Sequence, residues 1–405
     1  MNTSHPHSLL GGVQMAPRDP ILGLTEAYNA DKNPKKVNLG VGVYTDDNGK
    51  VPLLECVSRA EKMLVDIPTP RNYLPIDGIA AYDKAVQTLV FGADSAALKE
   101  GRVVTVQSLG GTGGLRVGAD FLRRIAPSAE VYISDPSWEN HRALFEAAGF
   151  TVKTYAYYDA KTRGVDFEAM LASLFEMPPG SVVVLHACCH NPTGVDLTPD
   201  QWEGVIETVA ARGLVPYLDF AYQGFGDGTD ADAAAVRRFA DEGVPLLVAS
   251  SFSKSFSLYG ERVGSISVVA QSSEEGARVL SQLKRIVRAN YSNPPTHGGK
   301  IVETVLRDAG LHEMWEKELG QMRDRIKDMR KLLVEKIHAR VPGADFSFVV
   351  RQNGMFSYSG LTKDQVVRMR EEFGVYAIES GRICVAALST KNVDYAAEAI
   401  AAVIR

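Results

Sequence analysis

The sequence predicts an α/β protein with a mostly parallel sheet in a large domain and a smaller α+β domain. Three observations favour this fold class. Between residues 101 and 270, short apolar runs alternate with segments of helical period, which is typical of a parallel sheet with helices on both faces. The 405 residues are too many for one ordinary core. From residue 346 to the end, short strand-like runs mix with helical segments.

Six short apolar runs predict the strands of the large domain. They are rich in β-branched residues, as expected of strands that are covered on both sides. Polar or small residues follow most of them directly, which marks where each strand ends. The predicted strands are 103–106, 131–134, 182–186, 215–219, 246–250 and 266–269.

Amphipathic segments between and after these runs predict the helices. Small and apolar residues from Leu115 to Leu122 repeat at helical spacing, so a helix is expected to begin at Leu115, after a glycine-rich run. Further helical segments are 200–212, 231–242 and 296–340, the last with a break near 308–310.

The composition excludes several classes of protein. Hydrophobic residues make up 45% and charged residues 23% of the chain, the balance of a globular protein in water. The net charge of −5 disfavours a nucleic-acid partner, and no apolar stretch is long enough to span a membrane. Four cysteines without C-x-x-C spacing predict neither a disulfide framework nor a metal site. Residues 1–14 lack the pattern of a signal peptide, so a cytoplasmic protein is expected.

Polar residues cluster where the predicted strands end. Asp-Pro-Ser-Trp (135–138) follows one strand and Asn-Pro-Thr-Gly (191–194) follows another. Asp-Phe-Ala-Tyr (219–222) and Ser-Phe-Ser-Lys (251–254) end two more. Open α/β sheets bind ligands outside the carboxyl ends of their strands. The four segments therefore predict one ligand-binding crevice.

The glycine-rich run from Gly110 to Gly114 is a candidate phosphate site. Glycines let the backbone approach an anion closely, and the start of the following helix offers free N–H groups. Thr112 adds a hydroxyl donor. A plain flexible turn explains an isolated run of this kind equally well.

Lys254 is a candidate nucleophile at the tip of a strand. Partial burial makes a lysine amine reactive, and the nearby Ser251 and Arg262 would supply further phosphate donors. An exposed surface position is the usual alternative for a single lysine. Here the apolar strand before it, together with Phe252 and Phe256 around it, favours burial.

Asp219 ends an apolar run, where a carboxylate is costly without a cationic or protonated partner. A protonated pyridine nitrogen is such a partner, and the ring then becomes a strong electron sink. Tyr222 could donate to a phenolic oxygen on that ring. A helix cap or a salt bridge would explain Asp219 alone equally well. A phosphate, an amine that reacts with an aldehyde and an acid for a pyridinium together describe pyridoxal phosphate.

Five motifs resemble those of the class I aminotransferases, which have fold type I. Segment 251–264 is similar to the signature around the cofactor lysine of that family. The resemblance runs from about Met15 to the C-terminus and is closest to the aspartate and aromatic amino acid aminotransferases. Segments 91–94, 138–141 and 256–262 favour the bacterial aromatic (tyrosine) branch. The other motifs that match in order are 188–194, 219–225, 291–295 and 379–383.

The resemblance implies a fold and a division into domains. We expect a sheet of the seven-stranded type in a large pyridoxal-phosphate-binding domain, residues 49–324. Segments 21–48 and 325–405 would form the small domain. Residues 1–20 would form an N-terminal arm, with the part around Pro17–Pro20 lying across a second subunit. The expected state is an obligate homodimer with shared active sites.

The resemblance also implies roles for the cofactor residues. Lys254 would hold the cofactor as a Schiff base and later move the substrate proton, and Asp219 would pair with the pyridine nitrogen. The phenolic oxygen would be bound by Tyr222 and Asn191, and Trp138 would stack on the ring. His141 and His186 would support Asp219, although either is more often a structural histidine. The residues that remain would bind the phosphate: Gly111, Thr112, Ser251, Arg262 and, from the neighbouring subunit, Tyr73.

Two arginines are implied as substrate residues. Arg382 would clamp the α-carboxylate with a two-pronged guanidinium, and Gly42 would lie against the same group. Arg288 would enter from the other subunit and pair with the second carboxylate of aspartate or glutamate. An exposed helix arginine is its ordinary alternative. In relatives of dual specificity such an arginine swings away from an aromatic ring, so Arg288 is compatible with both substrate classes.

The sequence thus predicts a ping-pong amino acid:2-oxoglutarate aminotransferase for tyrosine, phenylalanine and aspartate. A strict aspartate aminotransferase is the first alternative. A β-lyase or decarboxylase on the same cofactor is a more distant one, and the pair of arginines argues against it. A cofactor-binding regulator would need a DNA-binding module, which residues 1–14 are too few to form.

Overall fold

The computed structural model describes residues 9–16, 21–67 and 69–405. Of the predicted N-terminal arm, Leu9–Gly12 form a 3₁₀ turn and residues 13–16 have no regular structure. The segment Pro17–Pro20, expected to cross a second subunit, lies outside the described residues.

A seven-stranded sheet forms the centre of the molecule, in the order β2-β10-β9-β8-β7-β3-β4. Only β10 of these strands runs antiparallel to its neighbours, so the predicted mostly parallel sheet is confirmed. The strands of the described residues are β1 (Val37–Asn38), β2 (Val103–Leu109), β3 (Val131–Asp135), β4 (Val152–Ala156), β5 (Tyr158–Asp159), β6 (Gly164–Val165), β7 (Val182–His186), β8 (Val215–Phe220), β9 (Leu246–Ser251), β10 (Val263–Val269), β11 (Phe356–Tyr358), β12 (Val375–Tyr376) and β13 (Arg382–Cys384).

The sheet is buried on both faces, which explains its near-continuous apolar strands. In β7, Val182 and Val184 pack into one hydrophobic cluster, while Val183 and Leu185 pack into the other. Successive side chains of a strand point to opposite faces. Each face therefore needs its own layer of helices.

Helices cover both faces of the large sheet and also occur in the parts of the chain outside it. In the described part of the chain, no helix is both long enough and apolar enough to cross a membrane. The helices are α1 (Leu22–Ala30), α2 (Glu55–Val65), α3 (Ala80–Phe91), α4 (Ala96–Lys99), α5 (Gly110–Ile125), α6 (Glu139–Ala147), α7 (Phe167–Glu176), α8 (Pro199–Arg212), α9 (Thr229–Asp232), α10 (Ala234–Asp241), α11 (Ser273–Asn290), α12 (His297–Arg307), α13 (Ala309–Arg340), α14 (Phe348–Arg351), α15 (Lys363–Phe373) and α16 (Val393–Ile404).

Most helix boundaries follow the sequence signals. The break near 308–310 is confirmed, because the Asp308 side chain accepts a hydrogen bond from the Leu311 N–H and caps the start of α13. The Thr198 and Gln201 side chains form a capping box at the start of α8. The segment 231–242, predicted as one helix, is divided between α9 and α10.

One boundary prediction was wrong. Helix α5 begins at Gly110, not at Leu115, so the glycine-rich run is its first turn and not a loop before it. Glycine is needed there because α5 lies very close to the sheet. A Cβ on Gly114 would come within 2.5 Å of the Ser265 carbonyl oxygen, and one on Gly118 within 2.1 Å of the Tyr217 hydroxyl. The run is thus dictated by packing as well as by any ligand.

Segments from both ends of the chain pack together beside the large sheet. Strand β1 pairs in parallel with β12, with Val37 opposite Val375. Strand β11 pairs with β13, and α13 packs along α16. Because β13 begins beside the carboxyl ends of the large sheet, it brings Arg382, its first residue, to the crevice that the strand ends form.

Candidate active site

A cavity of about 140 Å³ lies where the sequence places the crevice, at the carboxyl ends of the strands. All four predicted strand tips line it, and the segment 135–138 does so through Trp138, just before α6. Its lining residues are Gly111, Thr112, Leu115, Trp138, Asn191, Asp219, Ala221, Tyr222, Ser251, Ser253, Lys254, Tyr259 and Arg262.

An anion site is formed by the first turn of α5 and its neighbours. A Cβ on Gly110 would lie 2.6 Å from Nη2 of Arg262, and one on Gly111 would lie 3.0 Å from Cβ of Ser251. Only glycine backbone therefore fits beside these two donors. The free N–H groups at the start of α5, the Thr112 and Ser251 hydroxyls and the guanidinium together suit a phosphate.

Arg262 is held in place for this task. Its Nη1 donates to the Tyr259 carbonyl oxygen at 3.0 Å and to the Ser253 hydroxyl at 3.4 Å. The residue itself is exposed. The guanidinium is thus fixed at the mouth of the cavity. The contacts that hold it include no carboxylate, so its positive charge is available to an anionic ligand.

Asp219 ends a chain of buried hydrogen bonds. Nε2 of His141 lies 2.9 Å from Oδ2 of Asp219, and Nδ1 of His141 lies 2.9 Å from the Ser137 hydroxyl. With Ser137 donating to Nδ1, Nε2 carries the proton and donates to the carboxylate. Burial alone would raise the pKa of Asp219, but the hydrogen bond from His141 and the nearby Lys254 outweigh it and lower this pKa. Asp219 is thus an ionised carboxylate in a buried cavity.

Lys254 presents its amine to the same cavity. Nζ lies 4.7 Å from the centroid of the Tyr222 ring. Burial lowers the pKa of Lys254 to about 8; Asp219 raises it and Arg262 lowers it further. Burial also keeps the pKa of Tyr222 well above its ordinary value, so that phenol stays protonated and can donate. An amine with this pKa is deprotonated to about a tenth at pH 7, far more than an ordinary lysine, and is therefore a better nucleophile near neutral pH.

The same pKa makes the stability of the cofactor-free protein depend on pH. Below about pH 8 the charged amine of Lys254 is penalised in the folded state but not in the unfolded chain, whose lysines titrate near 10.4. We expect Lys254→Met to be more stable than the wild type by about 3 kcal/mol at pH 7. This advantage should shrink as the pH rises through 8 toward 10.5.

Urea unfolding of the two dialysed, cofactor-free proteins across this range measures the effect. Lys331→Met, a change at an exposed lysine of α13, is the control and should show no such trend. An advantage of Lys254→Met that stays constant with pH would mean that the amine is not desolvated.

Arg382 forms a second candidate position for an anion, next to Asn191. It is buried, and it donates to Oδ1 of Asn191 at 3.1 Å and to the Gly40 carbonyl oxygen at 2.8 Å. Its guanidinium lies 4.4 Å from the Phe356 ring centroid. Gly42 lies against the outer edge of that ring, where a Cβ would approach Cζ of Phe356 to 2.7 Å. Arg382, Asn191 and Gly42 are therefore brought together as predicted.

The Arg382 fork is not saturated by these contacts. Its Nε is buried and has no hydrogen-bond partner among the residues that the structure describes. A buried donor without a partner costs free energy. A carboxylate that binds two guanidinium nitrogens would satisfy it.

The two histidines predicted to support Asp219 stand in different relations to it. His141 contacts Asp219, but neither ring nitrogen of His186 has a hydrogen-bond partner within the described ranges. His186 lies opposite Asp219 in the β7–β8 register and packs its ring against His141 and His190. It therefore contributes packing and not a hydrogen bond to the carboxylate. Burial lowers its pKa well below the ordinary value, so the ring is neutral.

Sequence reasoning missed several residues of the site. His190 donates or accepts between the Ser134 and Thr193 hydroxyls and continues the polar network behind the cavity. Tyr259 lines the cavity, and its hydroxyl accepts a hydrogen bond from the Tyr44 N–H at 2.9 Å. His190 lies within the motif 188–194 and Tyr259 within the motif 251–264. Their positions in these motifs could have identified them as candidate site residues. Leu115, Ala221 and Ser253 complete the lining.

Two predicted residues are exposed and lie away from the cavity and its neighbouring side chains. The Tyr73 side chain is 92% exposed, and Arg288 is exposed on α11, where it donates to the Ser292 hydroxyl. Neither residue lines the cavity of its own chain. Their expected roles stay predictions that require a second subunit.

The arrangement can bind and activate one kind of ligand. A phosphate suits the start of α5, a protonated ring nitrogen suits Asp219, and an aldehyde carbon suits the amine of Lys254. A substrate carboxylate suits Arg382. The cavity thus fits pyridoxal phosphate by the chemistry of its donors, and it leaves a separate position for a carboxylate.

Comparison with known proteins agrees with this geometry. The family model "Aminotransferase class I and II" matches residues 34–400. An aspartate aminotransferase of Pseudomonas aeruginosa is 60% identical over 397 residues, covering 98% of this chain and 100% of the relative.

Solved structures are equally similar. An aromatic-amino-acid aminotransferase from Burkholderia pseudomallei, covalently bound to pyridoxal phosphate, is 64% identical with a TM-score of 0.96, covering 98% of this chain and 100% of that one. An aromatic amino acid aminotransferase from Psychrobacter sp. B6, cocrystallised with aspartic acid, is 47% identical with a TM-score of 0.96 and the same coverage. These matches confirm the resemblance noted in the sequence. The chain belongs to the class I and II aminotransferases.

Proposed function

We propose that this protein is a pyridoxal-phosphate-dependent amino acid:2-oxoglutarate aminotransferase that accepts tyrosine, phenylalanine and aspartate. One observation carries the proposal. A single cavity holds a depressed-pKa lysine, a buried ionised carboxylate and a helix N-terminus with an arginine, and a buried arginine lies beside it. Relatives named for aspartate and for aromatic substrates support both substrate classes.

The cofactor, when bound, supplies an electron sink that stabilises negative charge at the substrate Cα. Asp219 keeps the ring nitrogen protonated, and His141 holds that carboxylate in position. Trp138 covers one side of the site, and Tyr222 and Asn191 donate to the ring oxygen. Gly111, Thr112, Ser251 and Arg262 hold the phosphate.

Lys254 performs the proton transfer. Its Nζ would take the proton from the substrate Cα, hold it and release it again within the cavity, which is the proton transfer that moving an amino group requires. A pKa of about 8 is close to neutral pH, where a group that must both accept and donate a proton works best. Arg382 fixes the α-carboxylate and so aims the Cα–H bond at this amine.

We further propose a homodimer whose sites are shared. The side chains of Leu53, Val65, Ile67 and Tyr73 are between 60% and 92% exposed, which is unusual for large apolar residues near one another in the chain. A second copy that covers this face would carry Tyr73 toward the partner's phosphate and Arg288 toward its substrate. A cytoplasmic location fits the four cysteines, which are free and buried.

We propose the domain division as the sequence has it, with residues 21–48 and 325–405 in the small domain and 49–324 in the large one. The pairing of Val37 with Val375 and the contact of Arg382 with Gly40 support it. Helix α13 crosses the boundary and links the two parts.

Steady-state kinetics with 2-oxoglutarate test the proposal. We would compare kcat/KM for tyrosine, phenylalanine and aspartate and follow the cofactor absorbance. A kcat/KM for an aromatic donor near or above that for aspartate supports activity on both substrate classes. A large preference for aspartate supports a strict aspartate aminotransferase. If no amino acid converts the cofactor to its amine form, the aminotransferase proposal fails. Formation of lyase or decarboxylase products would then support the more distant alternative.

Arg288 should control the acidic substrate alone. In Arg288→Ala we expect kcat/KM for aspartate to fall by about tenfold to a hundredfold, because one charge-assisted pair is lost. The value for phenylalanine should change by less than about threefold on the same scale. Arg285→Ala, also exposed and on the same helix, is the control. Equal losses for both donors would contradict the role of Arg288.

A further inference from the structure

Arg330, on α13, is a buried cation outside the cavity. Only 1% of its surface is exposed, and its five hydrogen-bond partners are neutral oxygens. The partners are the carbonyl oxygens of Val349 (3.0 Å), Asn353 (3.2 Å), Gly354 (2.8 Å) and Phe356 (2.5 Å) and the Ser357 hydroxyl (3.2 Å).

These partners share one short segment, residues 349–357, which runs from the end of α14 into β11. Its carbonyl groups converge on one point because the chain folds back on itself between the two elements. A buried cation without a carboxylate partner is expensive. The cost is offset here by the hydrogen bonds that Nη1 and Nη2 donate to five oxygens, and lysine, with a single nitrogen, cannot reach the same spread of oxygens.

The segment that Arg330 organises carries the aromatic ring beneath the substrate arginine. The Phe356 ring lies 4.4 Å from the Arg382 guanidinium and makes an edge contact with Tyr222 at 5.9 Å. Gly42 lies against the outer edge of the ring, at Cζ. The ring therefore fixes the position and orientation of the guanidinium that would bind a carboxylate.

The same segment also fixes the turn that carries Asn191. The Asn353 N–H donates to the Gly194 carbonyl oxygen at 2.6 Å. Gly194 has a φ of +69°, and a Cβ there would come within 2.6 Å of the Phe356 carbonyl oxygen, which Arg330 also binds. Asn191, at the start of this turn, accepts from Arg382. Arg330 is thus connected to the carboxylate-binding position in two ways, through the Phe356 ring and through the 191–194 turn.

From this geometry we propose that Arg330 is a positioning residue for the substrate α-carboxylate. It acts through Phe356 and the 191–194 turn and touches neither substrate nor cofactor. The inference rests on the proposed function, since it assumes that Arg382 binds that carboxylate. It places part of the substrate affinity in a side chain that does not line the cavity.

The test uses cofactor-loaded Arg330→Met and Arg330→Lys. We expect Arg330→Met to raise KM for phenylalanine and Kd for 3-phenylpropionate, a carboxylate without an amine, at least about tenfold. Arg330→Lys should lie between the wild type and Arg330→Met. The kcat at saturation and the Kd for pyridoxal phosphate should each change by less than the Kd for 3-phenylpropionate, since Lys254, Asp219 and the phosphate site lie outside the two routes from Arg330.

Ile337→Ala is the matched control, because Ile337 is buried two turns further along the same face of α13. It should lower stability without changing Kd for 3-phenylpropionate. A purely structural role of Arg330 would likewise reduce the folded fraction and leave the affinity of the remaining holoenzyme unchanged. An unchanged Kd in soluble, loaded Arg330→Met, or in Arg330→Lys if the methionine variant does not fold, overturns the inference.

A second variant checks the route. Phe356→Leu should weaken 3-phenylpropionate binding by itself, and adding Arg330→Lys to it should weaken binding by less than the two single changes together. Strict additivity would contradict transmission through Phe356. If wild-type holoenzyme shows no absorbance change with phenylalanine, the proposed function has failed, not the role of Arg330.

Discussion

Replacing Lys254 with alanine should lower kcat by about 10⁴-fold or more, the largest effect of any single change in the cavity. The variant loses the amine that attaches the cofactor and the base that moves the substrate proton. Asp219, Asn191 and Arg262 remain, so pyridoxal phosphate and substrate should still bind. Turnover of phenylalanine with 2-oxoglutarate, together with the cofactor absorbance of the loaded variant, measures both parts.

The control for this experiment is Lys331→Ala, which changes an exposed lysine on α13 and should leave turnover intact. The absorbance of loaded Lys254→Ala should also differ from that of the wild type, because the variant has no amine that could attach the cofactor. Turnover within tenfold of the wild type would remove Lys254 from the mechanism.

Asp219→Asn should lower kcat by about 10²–10³-fold and change KM much less. The amide has the shape of the carboxylate but lacks its charge, so it cannot keep a ring nitrogen protonated. His141 can still donate to the amide oxygen, so the hydrogen-bond chain to Ser137 is preserved. The loss should therefore report the electrostatic contribution and not a disordered site.

Single-turnover measurements of the phenylalanine half-reaction, at saturating substrate, isolate this effect from binding. Asp120→Asn is the comparison, since Asp120 is a partly exposed carboxylate that pairs with Arg116 on α5. A rise in KM with unchanged kcat in Asp219→Asn would assign this carboxylate to substrate binding and not to the chemical step.

Much of the fold could be predicted because the strands are covered on both faces. Burial on both faces demands continuous apolar runs, and the six predicted strands all exist with small shifts at their ends. The strand that was missed, β4, is at the edge of the sheet and pairs only with β3. Its Lys153 and Thr154 are exposed, so its sequence does not read as an apolar run.

The start of α5 could not be predicted from local signals. A run of four glycines and a threonine has low helix propensity, which favours a loop. Tertiary packing decides otherwise, because the close approach of Gly114 and Gly118 to β10 and β8 excludes any side chain at those positions. Such constraints arise from residues far away in the chain, and a single sequence does not display them.

The site itself was predictable in part. The strand-end motifs marked Asp219, Lys254 and their neighbours, because polar residues after buried strands are conspicuous. The unpaired state of His186 was not predictable, since register alone places it beside the carboxylate. Arg330 carried no signal either, because an arginine in a long charged helix is usually exposed.

The pairing of the two chain ends has a consequence for the order in which the protein is made. The cofactor residues from Gly111 to Arg262 are all translated before the last third of the chain. Arg382, however, needs Gly40 from the beginning and Asn191 from the middle before its contacts exist. A chain still on the ribosome thus contains the residues for the ring before the arginine for the amino acid has been made. The contacts of Arg382 join three distant parts of the chain, so they can form only after residue 382 has been synthesised.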